Sequence, residues 1–154
     1  MPLEIERKYL IQAPHVKELR RTPWTWIQQY YFESADGVAE RIRWQADRYY
    51  HTIKTFIREG VCEEDEHEID QDEFNRLLGR EGRLPNTIIK RRYAYSYMSL
   101  VFEVDQFVEP RLFWMLEVEL PSIDHPFTLP PWVRVVEEVT HDRNYSNAQI
   151  ARWP

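Results

Sequence analysis

The chain has a single cysteine, Cys62, which leaves no partner for an internal disulfide. One thiol and five scattered histidines (His15, His51, His67, His125 and His141) match no structural zinc spacing, so the histidines read as surface or packing residues. Only four glycines are present. They form no Gly-rich phosphate loop and no Gly-x-Ser-x-Gly elbow, and a His-Glu-x-x-His helix is also missing, which excludes the common nucleotide-binding, serine hydrolase and zinc protease templates. No apolar run approaches the roughly 18 residues that mark a membrane helix. The sequence starts directly on a charged, alternating stretch, from which we expect a cytoplasmic protein with no membrane partner. Positive charge is in deficit: a net charge of −6 gives no general attraction for nucleic acid, so a polyanion site has to be a local basic feature.

What is abundant is apolar and aromatic. A hydrophobic content of 43% over 154 residues, with six Trp and nine Tyr, predicts one domain over residues 1–154 with a sizeable core. The tryptophans read most simply as core or covering-layer residues. Alternation is the dominant pattern. Residues 3 to 11 place Glu4, Glu6 and Lys8 on one strand face and Leu3, Ile5, Tyr9 and Ile11 on the other. Further strands are expected over 24–33, 38–46, 49–56, 61–69, 87–95, 98–108 and 112–120. Short helices are expected near 14–21 and 146–152, with a capped amphipathic helix after Asp70 that Gly79 or Gly82 stops. Residues 125–132 are too proline-rich for a helix or central strand and read as an ordered loop, with an extended segment following over 133–136.

Most of these strands carry charges at consecutive same-face positions, and each row tends to keep one sign. The rows are Glu4 and Glu6, Arg41 and Arg43, Glu64 with Glu66 and Glu68, Lys90 and Arg92, Glu103 and Asp105, Glu117 and Glu119, with Lys54 alone on its strand. A solvated face mixes its charges, because like charges at neighbouring positions repel. The opposite faces are apolar and must also pack. A closed antiparallel barrel with a wet interior accommodates both, which makes the charged face a lumen. That lumen holds nine carboxylates against six cations, an excess of three negative charges in a confined space. About two divalent cations would reverse the sign and prepare it for a polyanion. Carboxylate oxygens favour Mg²⁺ or Mn²⁺, and Arg and Lys favour phosphate oxygens, so the chemistry implied is metal-assisted attack on a phosphate chain.

With these rows in place, the sequence resembles the triphosphate tunnel metalloenzymes, also called CYTH proteins. Their hallmark, Glu-x-Glu-x-Lys, stands here as Glu4-Ile-Glu6-Arg-Lys8. The resemblance continues in order through Gln29-Tyr30-Tyr31, Arg41-Ile-Arg43, Thr52-Ile-Lys54, the glutamates at 64 to 68, Lys90-Arg-Arg92-Tyr93, Glu103-Val-Asp105, Glu117-Val-Glu119, Glu138-Val-Thr140 and Tyr145-Ser146-Asn147. It implies an eight-stranded antiparallel β-barrel, mainly β with a few peripheral helices, that hydrolyses a triphosphate, inorganic tripolyphosphate first. The implied metal ligands are Glu4, Glu6, Glu117 and Glu119, with Glu64, Glu66, Glu103 and Asp105 in supporting or second-metal roles. Lys8, Arg41, Arg43, Lys54, Lys90 and Arg92 would hold the phosphates, and Glu4, Glu6, Lys8 and Lys90 are the expected catalytic residues. One metal is expected to bridge phosphate oxygens while the other, with a carboxylate, orients the attacking water.

Three stretches depart from the family pattern. Cys62-Glu63 stands where a basic residue is frequent, and the preceding loop is shifted by about one position, which leaves the register of Glu64, Glu66 and Glu68 open. Asp142-Arg143-Asn144-Tyr145 replaces Asp-x-Arg-Tyr, so Arg143 either binds substrate or faces solvent. The segment after Pro131-Trp132 lacks the Leu-Gly of the pattern. Alternatives to the tripolyphosphatase are a class IV type adenylyl cyclase, a thiamine or nucleoside triphosphatase, and a non-catalytic polyphosphate- or nucleotide-binding module. The outer face that includes Trp44 is expected to be covered by helices or to form a homodimer contact.

Overall fold

The computed structural model describes residues 3–154; Met1 and Pro2 of the expected domain lie outside the described residues. The chain runs β1 (Leu3–Ile11), α1 (Val16–Leu19), β2 (Trp24–Tyr31), β3 (Val38–Gln45), β4 (Arg48–Arg58), β5 (Val61–Ile69), α2 (Gln71–Leu78), β6 (Asn86–Tyr97), β7 (Leu100–Glu109), β8 (Phe113–Glu119), β9 (Val135–Glu138), a single 3-10 turn (Arg143–Tyr145) and α3 (Asn147–Ile150). The strands are antiparallel neighbours in the order β5-β4-β3-β2-β6-β7-β8-β1, and pairing of β1 with β5 closes eight of them into a barrel.

The ninth strand was expected only as an extended surface segment. Near the closure β1 pairs with β5 through Leu3, Glu4 and Ile5 among the described residues, whereas Tyr9, Leu10 and Ile11 pair with β9 on the same edge. The wall therefore changes partner midway along β1. Between the two pairings Glu6 N donates to Gly60 O at 3.1 Å and Lys8 N to Thr140 Oγ1 at 2.9 Å, which satisfies the backbone there without a continuous ladder.

Two hairpins turn without glycine. Ala46-Asp47 and Met98-Ser99 all adopt positive φ, between 48° and 68°, as two-residue turns between twisted strands demand. Met98 therefore belongs to the turn, and β7 begins at Leu100 rather than at the expected 98. Asp70 caps α2, its side chain accepting from Glu73 N at 2.8 Å, and Gly79 ends the helix as expected.

The apolar side chains gather in three places. Outside one wall, Tyr9, Phe102, Leu116 and Val118 are covered by the 125–133 loop through Phe127, Leu129 and Trp132. Phe74 and Leu77 of α2 cover Ile42, with Trp44 packed against them, so a helix takes that outer face. The third cluster joins strand residues Tyr31, Ile88, Phe107 and Met115 to Val139, Ile150 and Ala151 of the tail. Trp24 and Trp26 are not core residues. They stand 45% and 39% exposed on the outer face, with the Arg91 guanidinium 4.5 and 5.0 Å from their rings. Among the described residues no helix is long and apolar enough to cross a membrane.

Candidate active site

Register decides which charges meet. Directly opposed residues share a face of the sheet, and the pairs Lys54 with Glu64, Arg41 with Thr52, Gln29 with Arg43, Thr25 with Arg92, Arg92 with Asp105, Glu103 with Glu117, Lys8 with Glu117 and Glu6 with Glu119 run round the barrel. The charged rows thus converge on its interior. They line a cavity of about 170 Å³ formed by Glu4, Glu6, Gln29, Arg41, Arg43, Lys54, Glu64, Lys90, Arg92, Glu103, Glu117, Glu119 and Asn147.

On the β1 side, Lys54 Nζ lies 2.8 Å from Glu4 Oε1 and 3.5 Å from Glu64 Oε2, and Lys8 Nζ lies 3.4 Å from Glu6 Oε1. Burial, and then the neighbouring Glu64 carboxyl, raise the pKa of Glu4. Burial with Glu4 and Glu6 does the same to Glu119. Opposite them sits a second network. Asp105 is wholly buried and bonds Arg92 through two 2.8 Å contacts, while Lys90 Nζ lies 2.8 Å from its Oδ2. Burial alone would raise the pKa of Asp105, but Arg92 and Lys90 hold it below its ordinary value. Burial lowers Lys90, and burial beside Arg41 lowers Arg43 to about 10.

Two expected metal ligands are occupied otherwise. Glu66 accepts from Thr52 Oγ1 at 2.6 Å and from Arg43 at 3.2 Å, with Arg41 at 3.6 Å, and it does not line the cavity. Asp105 lies behind Lys90 and Arg92 and also does not line it. The register left open at 64 to 68 resolves with Glu64 in the cavity, Glu66 on the arginines, and Glu68 exposed beside Arg48. Arg143 is exposed, 4.5 Å from the Phe56 ring, and borders a slot of about 430 Å³ that opens where β1 parts from β5. Glu4, Glu6 and Lys8 reach that slot from inside, so it leads to the cavity.

Gln29 and Asn147 were not expected among the site residues, although both fall within the quoted motifs. Gln29 alternates in step with Ile27 and Tyr31, and an amide on that largely apolar strand face was the available signal. Asn147 has no such signal, because it lies far along the chain on a four-residue helix.

Whether these residues fit divalent cations is decided by their unspent atoms. Arg41 Nε, Arg43 Nε, Glu64 Oε2 and Glu117 Oε1 are buried with no hydrogen-bond partner among the described residues, and all four residues line the one cavity. Buried polar atoms are normally paired. Donors and hard-oxygen acceptors left without hydrogen bonds, Glu64 Oε2 having only the ion-pair contact of Lys54 at 3.5 Å, are the complement of an anion bound together with a cation. Among the described residues no three His, Cys, Asp or Glu side chains are already gathered closely enough to hold a metal ion. Lys54 and Lys8 stand among the β1 carboxylates as their counter-charges. The carboxylate oxygens of the lining are hard donors of the kind that Mg²⁺ and Mn²⁺ take.

No family model and no curated protein matches the chain. Solved structures do. The inorganic triphosphatase NE1496 is 32% identical over 100% of this chain and 97% of its own, with a TM-score of 0.63. A conserved hypothetical protein from Pyrococcus furiosus is 24% identical over 77% of this chain and 79% of its own, with a TM-score of 0.63. HpAC1 of Hippeastrum, an adenylyl cyclase candidate described as having a dominant triphosphatase activity, is 21% identical over 77% of this chain and 80% of its own, with a TM-score of 0.59. The last two share the fold.

Proposed function

Since the chain belongs to the CYTH, or triphosphate tunnel metalloenzyme, superfamily, we propose that it hydrolyses a triphosphate with the help of divalent metal, and that its substrate is inorganic tripolyphosphate. The observation that carries this reading is the coincidence, among residues lining one cavity, of two buried guanidinium nitrogens and two buried carboxylate oxygens that no hydrogen bond satisfies. A binding module for an anion alone needs the first pair and is penalised by the second. The inorganic chain is favoured because the inner cavity is lined by charged and amide side chains throughout, with no aromatic face among the described residues to take a base or ring.

Arg41, Arg43, Lys54, Lys90 and Arg92 hold the phosphate oxygens, with Lys8 at the inner edge of the slot, and they stabilise charge that grows on the leaving pyrophosphate. Glu4, Glu6, Glu64, Glu103, Glu117 and Glu119 would hold the metal, about two ions. When bound, those ions supply positive charge to the phosphate oxygens and acidity to the attacking water. Glu66 and Asp105 act one step back: by fixing Arg43 and Arg92 they aim the guanidinium groups into the cavity. Arg143 meets the polyanion at the slot.

The test is phosphate release from tripolyphosphate, ATP and pyrophosphate in parallel, with Mg²⁺, Mn²⁺ or chelator, for the wild type and Glu4→Gln. Metal-dependent release from tripolyphosphate that falls at least about a hundredfold in the variant supports the proposal. Cyclic nucleotide formed from ATP without tripolyphosphate hydrolysis would replace it with a cyclase, and tight tripolyphosphate binding without turnover would leave a binding module.

A further inference from the structure

Resting on the reading above, the geometry points to Asn147 as a positioning residue for Lys90 and a direct donor to the bound phosphate chain. Lys90 is 1% exposed, and its ammonium has three N–H donors and no acceptor. Asp105 Oδ2 takes one at 2.8 Å and Asn147 Oδ1 another at 3.0 Å, with the Phe107 ring centroid 4.9 Å from the nitrogen. Two fixed acceptors leave a single N–H, and Lys90 lines the cavity. The ammonium is thereby aimed rather than merely neutralised.

The amide orientation follows from the partner. An ammonium only donates, so Asn147 must turn Oδ1 towards it, and the Nδ2 amide group is left without a hydrogen bond to the described residues. Asn147 also lines the cavity, which puts two neutral donors beside the cations that await phosphate. A carboxylate at this position would satisfy Lys90 but repel the anion, and an aliphatic side chain would do neither.

Asn147 is held by packing. Ser146 caps α3 by accepting from Gln149 N at 3.2 Å, and Ile150 and Ala151 of the same segment bury against Ile88, Phe107 and Met115. Ile88 and Phe107 stand next to Lys90 in the ladder: Ile88 lies two residues before it on β6, and Phe107 is its register partner on β7. The tail is thus pinned beside the lysine it orients.

The experiment compares wild type, Asn147→Leu and Asn147→Asp by three readouts. The first needs no substrate: the ¹H–¹⁵N signal of the Lys90 ammonium, identified by its loss in Lys90→Arg, is expected to persist in Asn147→Asp and to broaden or shift in Asn147→Leu. The second is calorimetric binding of tripolyphosphate in chelator, expected to weaken about tenfold or more in both variants, since a hydrogen bond to a charged group is worth a factor of roughly 10 to 100. The third is turnover with metal, where Asn147→Asp is expected to raise KM with kcat held within about threefold and Asn147→Leu to lower kcat as well. An unchanged ammonium signal in Asn147→Leu overturns the positioning role. Wild-type affinity in both variants overturns the phosphate contact. Failure of the wild type itself to bind or hydrolyse tripolyphosphate overturns the functional reading and the phosphate contact with it, while the ammonium signal still decides the positioning role.

Discussion

Substituting Asp105 by Asn keeps the shape of the side chain and removes its charge. In the native barrel that charge accepts three contacts at 2.8 Å, two from Arg92 and one from Lys90, at a site with no solvent exposure. Arg92 keeps Glu103 at 2.9 Å and Glu117 at 3.7 Å, but Lys90 loses the one carboxylate that pairs with it among the described residues, and breaking a buried pair in this way costs about 3–5 kcal/mol. Against a typical stability of about 5–15 kcal/mol this is a large fraction. With a urea slope of about 2 kcal/mol per molar, the unfolding midpoint should fall by roughly 1.5–2.5 M. The control is Glu138→Gln. Glu138 takes Arg7 through the same two-point geometry, both contacts at 2.8 Å, but with 39% and 32% of the two side chains exposed, so its removal should cost about 1 kcal/mol or less. Tripolyphosphate should restore more stability to Asp105→Asn than to the control, because it supplies the missing negative charge where the cations point. The acid limb gives a second check. Asp105 is depressed in the native state, so its stabilisation is complete above the unfolded value near about 4 and is lost as pH falls through the native one. The wild type should therefore lose more stability than the variant on going below about pH 4. A midpoint shift no larger than that of Glu138→Gln would refute the argument that burial makes this network structural.

Two further outcomes are expected. Gly60 sits at φ +75° with its would-be Cβ 3.4 Å from Glu6 O and from Thr140 Cγ2, so Gly60→Ala should destabilise by about 1–2 kcal/mol and lower the thermal midpoint by about 2–8 °C; an unchanged midpoint would mean that the loop closing β1 onto β5 is free to shift. Arg143→Ala should raise KM for tripolyphosphate roughly three- to tenfold at low ionic strength with kcat unchanged, and the difference should vanish near 1 M salt, where the Debye length is about 3 Å; equal KM values at low salt would leave Arg143 a solvent-facing residue.

The rows of like charge were legible because a strand has period two and folding cannot change which residues share its face. Glu4 with Glu6, Arg41 with Arg43, and Lys90 with Arg92 needed nothing beyond alternation. Strand ends at 24, 38 and 61 were equally readable, since turn residues bracket them. The hairpin at Met98-Ser99 was harder than the one at Ala46-Asp47, because its left-handed backbone uses residues that do not advertise it, whereas Asp tolerates that conformation. Trp24 and Trp26 were misplaced for a related reason: bulk marks a residue as worth burying, but whether a layer covers it depends on the rest of the chain.

Sequence alone therefore determined which charges share a strand face and the sign of each row, both consequences of local periodicity, while the eight-stranded barrel followed from the family resemblance. Tertiary structure decided how those charges divide their work. Glu64 and Glu66 are two residues apart and chemically identical, yet one lines the cavity and the other is bound to Thr52 and Arg43. Asp105 and Glu103 part in the same way. Asn147 joins the site from the far end of the chain because the apolar side chains around Ile150 pack beside Lys90. Which partner a charge meets depends on register, depth and long-range packing, and these exist only once the barrel has closed.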